Sequence, residues 1–162
     1  MHRILKSAVT GHSFLRKGAL ALVPLLMACI SSSALADSEP DGASVYKRCA
    51  ACHLPSRAGV PATFPPLREN VRSFAETAEG RRYLVLVLAK GLGGPIRAEG
   101  RLFSGVMPAQ SMLSAGEVAA VLNLLAQPKA KFTAAEVTRL RASGAGLSPA
   151  QLAQLNARLT GR

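Results

Sequence analysis

The stretch that decides the reading is Cys49-Ala50-Ala51-Cys52-His53. It spells C-x-x-C-H, the pattern of covalent c-type haem attachment. Two thiols on one turn of chain reach the two vinyl groups of a haem and form thioethers. The adjacent imidazole then lies against the ring and ligates its iron. Other readings of the same residues have less behind them. A structural disulfide between Cys49 and Cys52 would suit an oxidising compartment. A thioredoxin-like redox pair needs a βαβ setting, and no such pattern is visible. A structural zinc site needs four ligands, and there is no second ligand cluster.

Upstream, residues 1–18 carry Arg3, Lys6, Arg16 and Lys17 and no acidic residue, and Ala19 to Ile30 is an apolar run. Ser31-Ser32-Ser33 and Ala34-Leu35-Ala36 follow, a small-residue cleavage pattern before Asp37. A basic segment, a short apolar segment and an A-x-A site describe a secretory signal over residues 1–36, which implies export to the periplasm. The apolar run is shorter than the roughly 18 residues of a membrane-spanning helix. Leu26-Met27-Ala28-Cys29 offers an alternative, lipidation at Cys29 and attachment to the membrane on the periplasmic side. An uncleaved signal would also keep the chain at the membrane.

Processing at Ala36 changes the composition. The full chain of 162 residues has a formal charge of +11 and is 49% hydrophobic. Residues 37–162 retain +7, the single histidine His53 and the two cysteines of the motif. They hold six aromatic residues and no Trp. A chain so poor in large side chains has little material for a core, and an enclosed haem would supply an apolar body to pack around. Export and the absence of a recognition motif argue against nucleic acid as the partner of this basic chain.

With His53 the only histidine left, a second axial ligand from the same chain has to be another residue type. Met107, in Gly105-Val106-Met107-Pro108, sits on a loop stiffened by proline, 54 residues after His53. Met112 precedes a helix and reads as a core or cap residue. A thioether ligand favours ferrous iron and raises the potential, which suits electron transfer.

These pieces, in this order, resemble the monohaem cytochromes c of bacterial respiratory chains. The resemblance runs over about residues 40–127 and includes Gly42 to Tyr46, Cys49 to His53, Phe64-Pro65-Pro66-Leu67, Tyr83 to Gly91, Gly105 to Pro108 and Leu113 to Leu125. Gly94-Pro95-Ile96, with Gly100 and Phe103, is similar to cytochromes associated with periplasmic dehydrogenases. The resemblance implies an all-α cytochrome c fold around one covalent haem c, with Cys49 and Cys52 as attachment sites and His53 and Met107 as iron ligands. It implies that the His53 ring is oriented by the carbonyl of Pro66, that Leu67 packs on the haem, and that Tyr83 belongs to the same surroundings. It also implies that the last helix crosses the first near Gly42 and Tyr46, at a place where the family usually carries an aromatic and this chain has Leu124. Without the resemblance, Pro65-Pro66 reads as a rigid loop.

Local signals mark the helices. Asp41 is an N-cap for a helix ending in the haem motif. Residues 81–90 are apolar and stop at Gly91; taken alone, Tyr83 to Leu88 fits a strand as well as a helix, and the resemblance favours the helix. Ser114-Ala115-Gly116-Glu117 is a capping box before a face of Val118, Val121, Leu122 and Leu125. Pro128 ends that helix. Thr133 to Glu136 and Ser148 to Gln151 are two further boxes, the second with Pro149 in the first turn and a stripe of Leu152, Leu155 and Leu159 behind it. The expected organisation is a signal at 1–36, a haem domain at 37–127 and a helical hairpin at 128–162. That hairpin either packs on its own domain or docks a larger subunit.

The expected function is one-electron transfer without bond-making chemistry. The same module as a cytochrome subunit of a dehydrogenase or membrane oxidase is the alternative, and a haem enzyme or gas sensor with a labile sixth ligand is a third. Arg68, Arg72, Arg81, Arg82, Lys90, Arg97 and Arg101 are the candidates to pair with haem propionates or to steer an acidic redox partner.

Overall fold

The computed structural model describes residues 39–128 and 131–161. The expected signal, its cleavage site and Cys29 lie outside them. The described residues form α1 (Gly42–Tyr46), α2 (Ala50–His53), α3 (Glu69–Ala75), α4 (Ala78–Lys90), β1 (Ile96–Ala98), β2 (Arg101–Phe103), α5 (Ala115–Ala126), α6 (Ala134–Ala142) and α7 (Pro149–Thr160). The fold is helical, as expected of a cytochrome c, with one two-stranded antiparallel hairpin added.

Asp41 caps α1 by accepting from the amides of Ala43 and Ser44. The helix does not run unbroken into the haem motif. It ends at Tyr46, a turn carries Lys47 to Cys49, and α2 then presents the motif. Helix α4 is the centre of the molecule. Tyr83, Leu84, Val85, Leu86 and Leu88 are all buried, and α3, α5, α6 and α7 pack on it. A helix covered on nearly every side has no amphipathic period, which is why its sequence fits a strand as well.

Helix α5 starts at the Ser114/Glu117 capping box and buries Val118, Val121, Leu122 and Leu125. It crosses α1 at Gly42. A Cβ on Gly42 would lie 2.4 Å from the Ala120 carbonyl oxygen and 3.2 Å from the Leu124 Cβ. Leu124 thus serves this crossing, where the resemblance implies an aromatic.

Two elements have no counterpart among the expected ones. Helix α3 follows Arg68, whose side chain makes no cap. The Glu69 amide donates instead to Glu99 Oε1 at 3.2 Å, and the Glu99 amide donates to Asn70 Oδ1 at 3.0 Å. The other is the hairpin itself, in which Ile96 pairs with Phe103, Arg97 with Leu102 and Ala98 with Arg101.

The described residues after Gln127 pack into the same compact unit as those before it. The Thr133 box is half formed. Thr133 accepts from the Glu136 amide, but the Glu136 carboxylate turns to Arg81, which donates to it at 2.7 and 2.5 Å. Arg81 also donates to the carbonyls of Ala75 and Lys131 and lies 3.8 Å from the Phe132 ring centroid. Asn123 clips the backbone of Phe132, donating to its carbonyl at 3.0 Å and accepting from its amide at 2.6 Å. The Ser148 box is complete. The stripe of α7 faces inward: Leu152 and Leu155 are buried, and α7 packs on α4 and β1. Leu159, the last residue of the stripe, is half-buried, so most of that apolar face is covered within the chain.

Candidate haem site

Helix α2 brings Cys49, Cys52 and His53 onto one turn, closed by the His53 amide donating to the Cys49 carbonyl at 2.9 Å. Both thiols are unpaired. Burial pushes the Cys49 thiol above its ordinary pKa. A redox-active cysteine needs its thiolate stabilised, so this environment speaks against the thioredoxin-like reading. Among the described residues no three His, Cys, Asp or Glu side chains converge on a possible metal ion position.

His53 is buried, and its Nδ1 lies 2.8 Å from the carbonyl oxygen of Pro65. A carbonyl can only accept, so Nδ1 carries the proton and Nε2 keeps the lone pair. Burial holds the imidazole below its ordinary pKa, partly opposed by the bond to Pro65. A neutral ring with a fixed tautomer is the form that ligates a metal.

The acceptor is Pro65, not Pro66 as the resemblance implies, and loop closure is the reason. The Val60 amide donates to the Phe64 carbonyl, the Phe64 amide donates back, and the Gly59 amide donates to the His53 carbonyl. Gly59 has a φ of +67°, and a Cβ there would lie 2.2 Å from the Phe64 oxygen and 2.7 Å from the Pro65 oxygen. The tight return at Gly59 brings the Pro65 carbonyl to the imidazole and leaves Pro66 buried beside it.

Met107 joins the same lining from a separate segment of the chain. Its amide and carbonyl pair with those of Leu92, both bonds being 2.9 Å. Gly91 makes this approach possible. Its φ is +78°, and a Cβ would lie 2.6 Å from the Met107 oxygen. Two apolar spaces each include Cys49, His53 and Met107 in their walls. They share these three wall residues and so adjoin as two lobes of one apolar cleft, the kind of concave, mostly apolar setting in which cofactors bind. Phe64, Ile96 and Phe103 close the first lobe. Leu67, Val71, Leu84 and Leu122 close the second.

Two other expected residues lie elsewhere. Tyr83 borders neither lobe; it is buried edge-on against Phe74, with ring centroids 5.3 Å apart, and its hydroxyl is hydrogen-bonded to the Asn156 side chain. It faces the C-terminal helix because α7 packs on α4 there. Met112 is neither core nor cap. It is 79% exposed, and its sulfur accepts from Arg48 at 3.2 Å.

The basic residues also redistribute. Arg81, Arg82 and Lys90 donate to Glu136, Ser143 and the Ala145 carbonyl, so they bind the C-terminal hairpin. Arg72 pairs with Glu69, and Arg68 donates to the Ser56 carbonyl. The cation that borders the cleft is Arg48, next to the motif and absent from the expected set.

The residues present fit haem c: two thiols on one turn, an imidazole with Nε2 free beside them, and an apolar cleft in front. The comparisons with known proteins agree. The cytochrome c family model matches residues 40–129. The chain is 41% identical over 136 residues to a cytochrome c-552 of Thermus thermophilus, an alignment covering 78% of this chain and 90% of that protein. A second Thermus thermophilus cytochrome c-552 is 42% identical over 123 residues, covering 70% of this chain and 92% of its own length. Cys49 and Cys52 fit the attachment motif beside an oriented imidazole and an apolar cleft, and this chain belongs to the cytochrome c family, an electron-transfer protein that carries haem c.

Proposed function

We propose that this protein is an exported, freely diffusing one-electron carrier whose iron is ligated by His53 and Met107. The observation that carries the ligation is that His53 and Met107 both border both lobes of the cleft. Haem c, when bound, supplies an iron that alternates between ferrous and ferric states. The protein's part is positional. Cys49 and Cys52 hold the group covalently, the Pro65 carbonyl keeps the His53 Nδ1 proton and so aims Nε2, and the Leu92 backbone holds the Met107 segment. The apolar walls exclude water, which disfavours the more highly charged ferric state and supports the high potential that a thioether ligand gives.

Burial of the α7 stripe within the chain supports a free carrier over a fixed subunit. The leader residues support export; no helix among the described residues is long and apolar enough to cross a membrane. An acidic redox protein suits the surplus of positive charge, with Arg48 at the cleft as the nearest steering group.

The test is spectroscopic. The ferric protein should show the far-red thioether-to-iron charge-transfer band, and the ferrous protein should not bind carbon monoxide at neutral pH. Met107→Ala should lose the first and gain the second, while Met112→Ala changes neither. Retention of the band in Met107→Ala refutes the ligand assignment. Stoichiometric co-purification with a larger oxidoreductase at native levels refutes the free carrier. Electron-exchange rates with an acidic acceptor should fall with ionic strength, and a salt-independent rate refutes the steering.

A further inference from the structure

Asn156 lies on α7, far along the chain from the haem motif, yet it is 2% exposed, and besides meeting the Tyr83 hydroxyl its carboxamide brackets the backbone of Arg97, next to a residue of the cleft wall. Its Oδ1 accepts from the Arg97 amide at 2.8 Å, and its Nδ2 donates to the Arg97 carbonyl at 3.1 Å. Arg97 is the middle residue of β1, and its neighbour Ile96, paired with Phe103, closes the first lobe of the cleft. The amide and carbonyl of Arg97 point away from β2, where a third strand would bond them. Asn156 takes the place of that strand.

The same helix braces the segment just before β1. A Cβ on Gly93 would lie 3.8 Å from Pro149, and one on Gly94 would lie 3.8 Å from Ala153. Leu92, next in line, holds both backbone groups of Met107. One continuous strip, residues 92–98, thus carries the backbone partner of Met107 at one end and the wall residue Ile96 near the other. Helix α7 lines its outer side. Asn70 reaches the Arg97 carbonyl as well, at 3.5 Å, but the Arg97 amide is held by Asn156.

We infer that Asn156 is a positioning residue for the haem cleft: through Arg97 it fixes the 92–98 strip, and with it the Ile96 wall and the Met107 segment. The Met107 half of this statement rests on the ligation proposed above; the wall half does not.

Asn123 provides a matched control. It clips the Phe132 backbone with the same pair of bonds but does not touch the strip. The experiment compares Asn156→Ala and Asn123→Ala holoproteins with the wild type. Both should lower the thermal midpoint. Asn156→Ala alone should weaken the far-red band, lower the reduction potential and admit carbon monoxide to the ferrous form. It should also speed exchange of the Arg97 amide by about tenfold or more. If the two variants match in band, potential and carbon monoxide binding, Asn156 is only structural and the inference falls. Absence of the band from the wild type would refute Met107 ligation instead, leaving the potential and the Arg97 exchange to judge the wall.

Should Asn156→Ala fail to fold, the wild-type holoprotein still answers. In rising sub-denaturing urea, the potential and the band should change together with Arg97 amide exposure. A band and potential that survive exposure of that amide overturn the inference.

Discussion

Arg81 and Glu136 join the haem domain to the helices that follow it, and their removal is the most quantitative test of that union. The perturbation is Glu136→Gln, which keeps the side-chain shape and the Thr133 cap but removes the charge. Arg81 and Glu136 are only 18% and 19% exposed, and the contact uses two guanidinium nitrogens and both carboxylate oxygens. Exposed ion pairs contribute about 0.2–1 kcal/mol, whereas hydrogen bonds to charged groups contribute about 1.5–3 kcal/mol. Burial and bidentate geometry place this pair in the second class, so a loss of about 2 kcal/mol is expected, equivalent to roughly 5–10 °C in a domain of this size. The assay is thermal unfolding of the ferric holoprotein, followed by far-ultraviolet circular dichroism, in a double-mutant cycle with Arg81→Gln. The pair also sets a pH signature. The Arg81 hydrogen bond holds the Glu136 carboxyl below its ordinary value of 4.5. Its stabilisation is therefore complete above pH 4.5 and disappears as pH falls through the lower folded value, and Glu136→Gln should remove that part of the acid sensitivity. A coupling below about 0.5 kcal/mol, or an unchanged acid limb, refutes the assignment.

Other outcomes follow from the cleft and its supports. Cys49→Ala/Cys52→Ala should abolish haem staining on a denaturing gel and leave a chain without a cooperative thermal transition, because the walls of both lobes lose what they pack against. Gly91→Ala should destabilise by about 1–3 kcal/mol through its positive φ alone; the clash with the Met107 carbonyl should also weaken the far-red band, which a purely local effect would spare. Gly42→Val should drive α1 from α5 and lower the thermal midpoint by more than Gly146→Ala, since a Cβ on Gly146 meets nothing within 4 Å. An equal effect of these two substitutions would contradict the crossing described.

What was legible in the sequence was what neighbouring residues decide among themselves. The pentapeptide, the Asp41 cap, the Ser114 and Ser148 boxes and the Gly91 stop each depend on a few consecutive positions, and each stands where the sequence puts it. What was not legible depends on distant partners. Helix α3 has its first amide satisfied by Glu99, thirty positions away, so no local cap announces it. The Thr133 box looks complete in sequence, yet Arg81 takes its carboxylate. Choosing Pro65 over Pro66 is a matter of one residue, set by the return at Gly59 rather than by the prolines. Arg48 had no sequence signal beyond lying next to Cys49, whereas Arg81, Arg82 and Lys90, three of the seven expected candidates, are committed to the hairpin.

The crossing of α1 and α5 at Gly42 has a consequence for the order of events in biogenesis. The two helices lie at opposite ends of the haem domain, so their contact closes almost the whole of its length and bears a large entropic cost until the cleft is formed. The attachment turn, by contrast, is local and lies just behind α1. Thioether formation can therefore precede the crossing, on a chain still open enough for an attachment machinery to reach both thiols. A later docking of α5, which brings Val121, Leu122 and Leu125 to the second lobe, would then shut the cleft over the attached group.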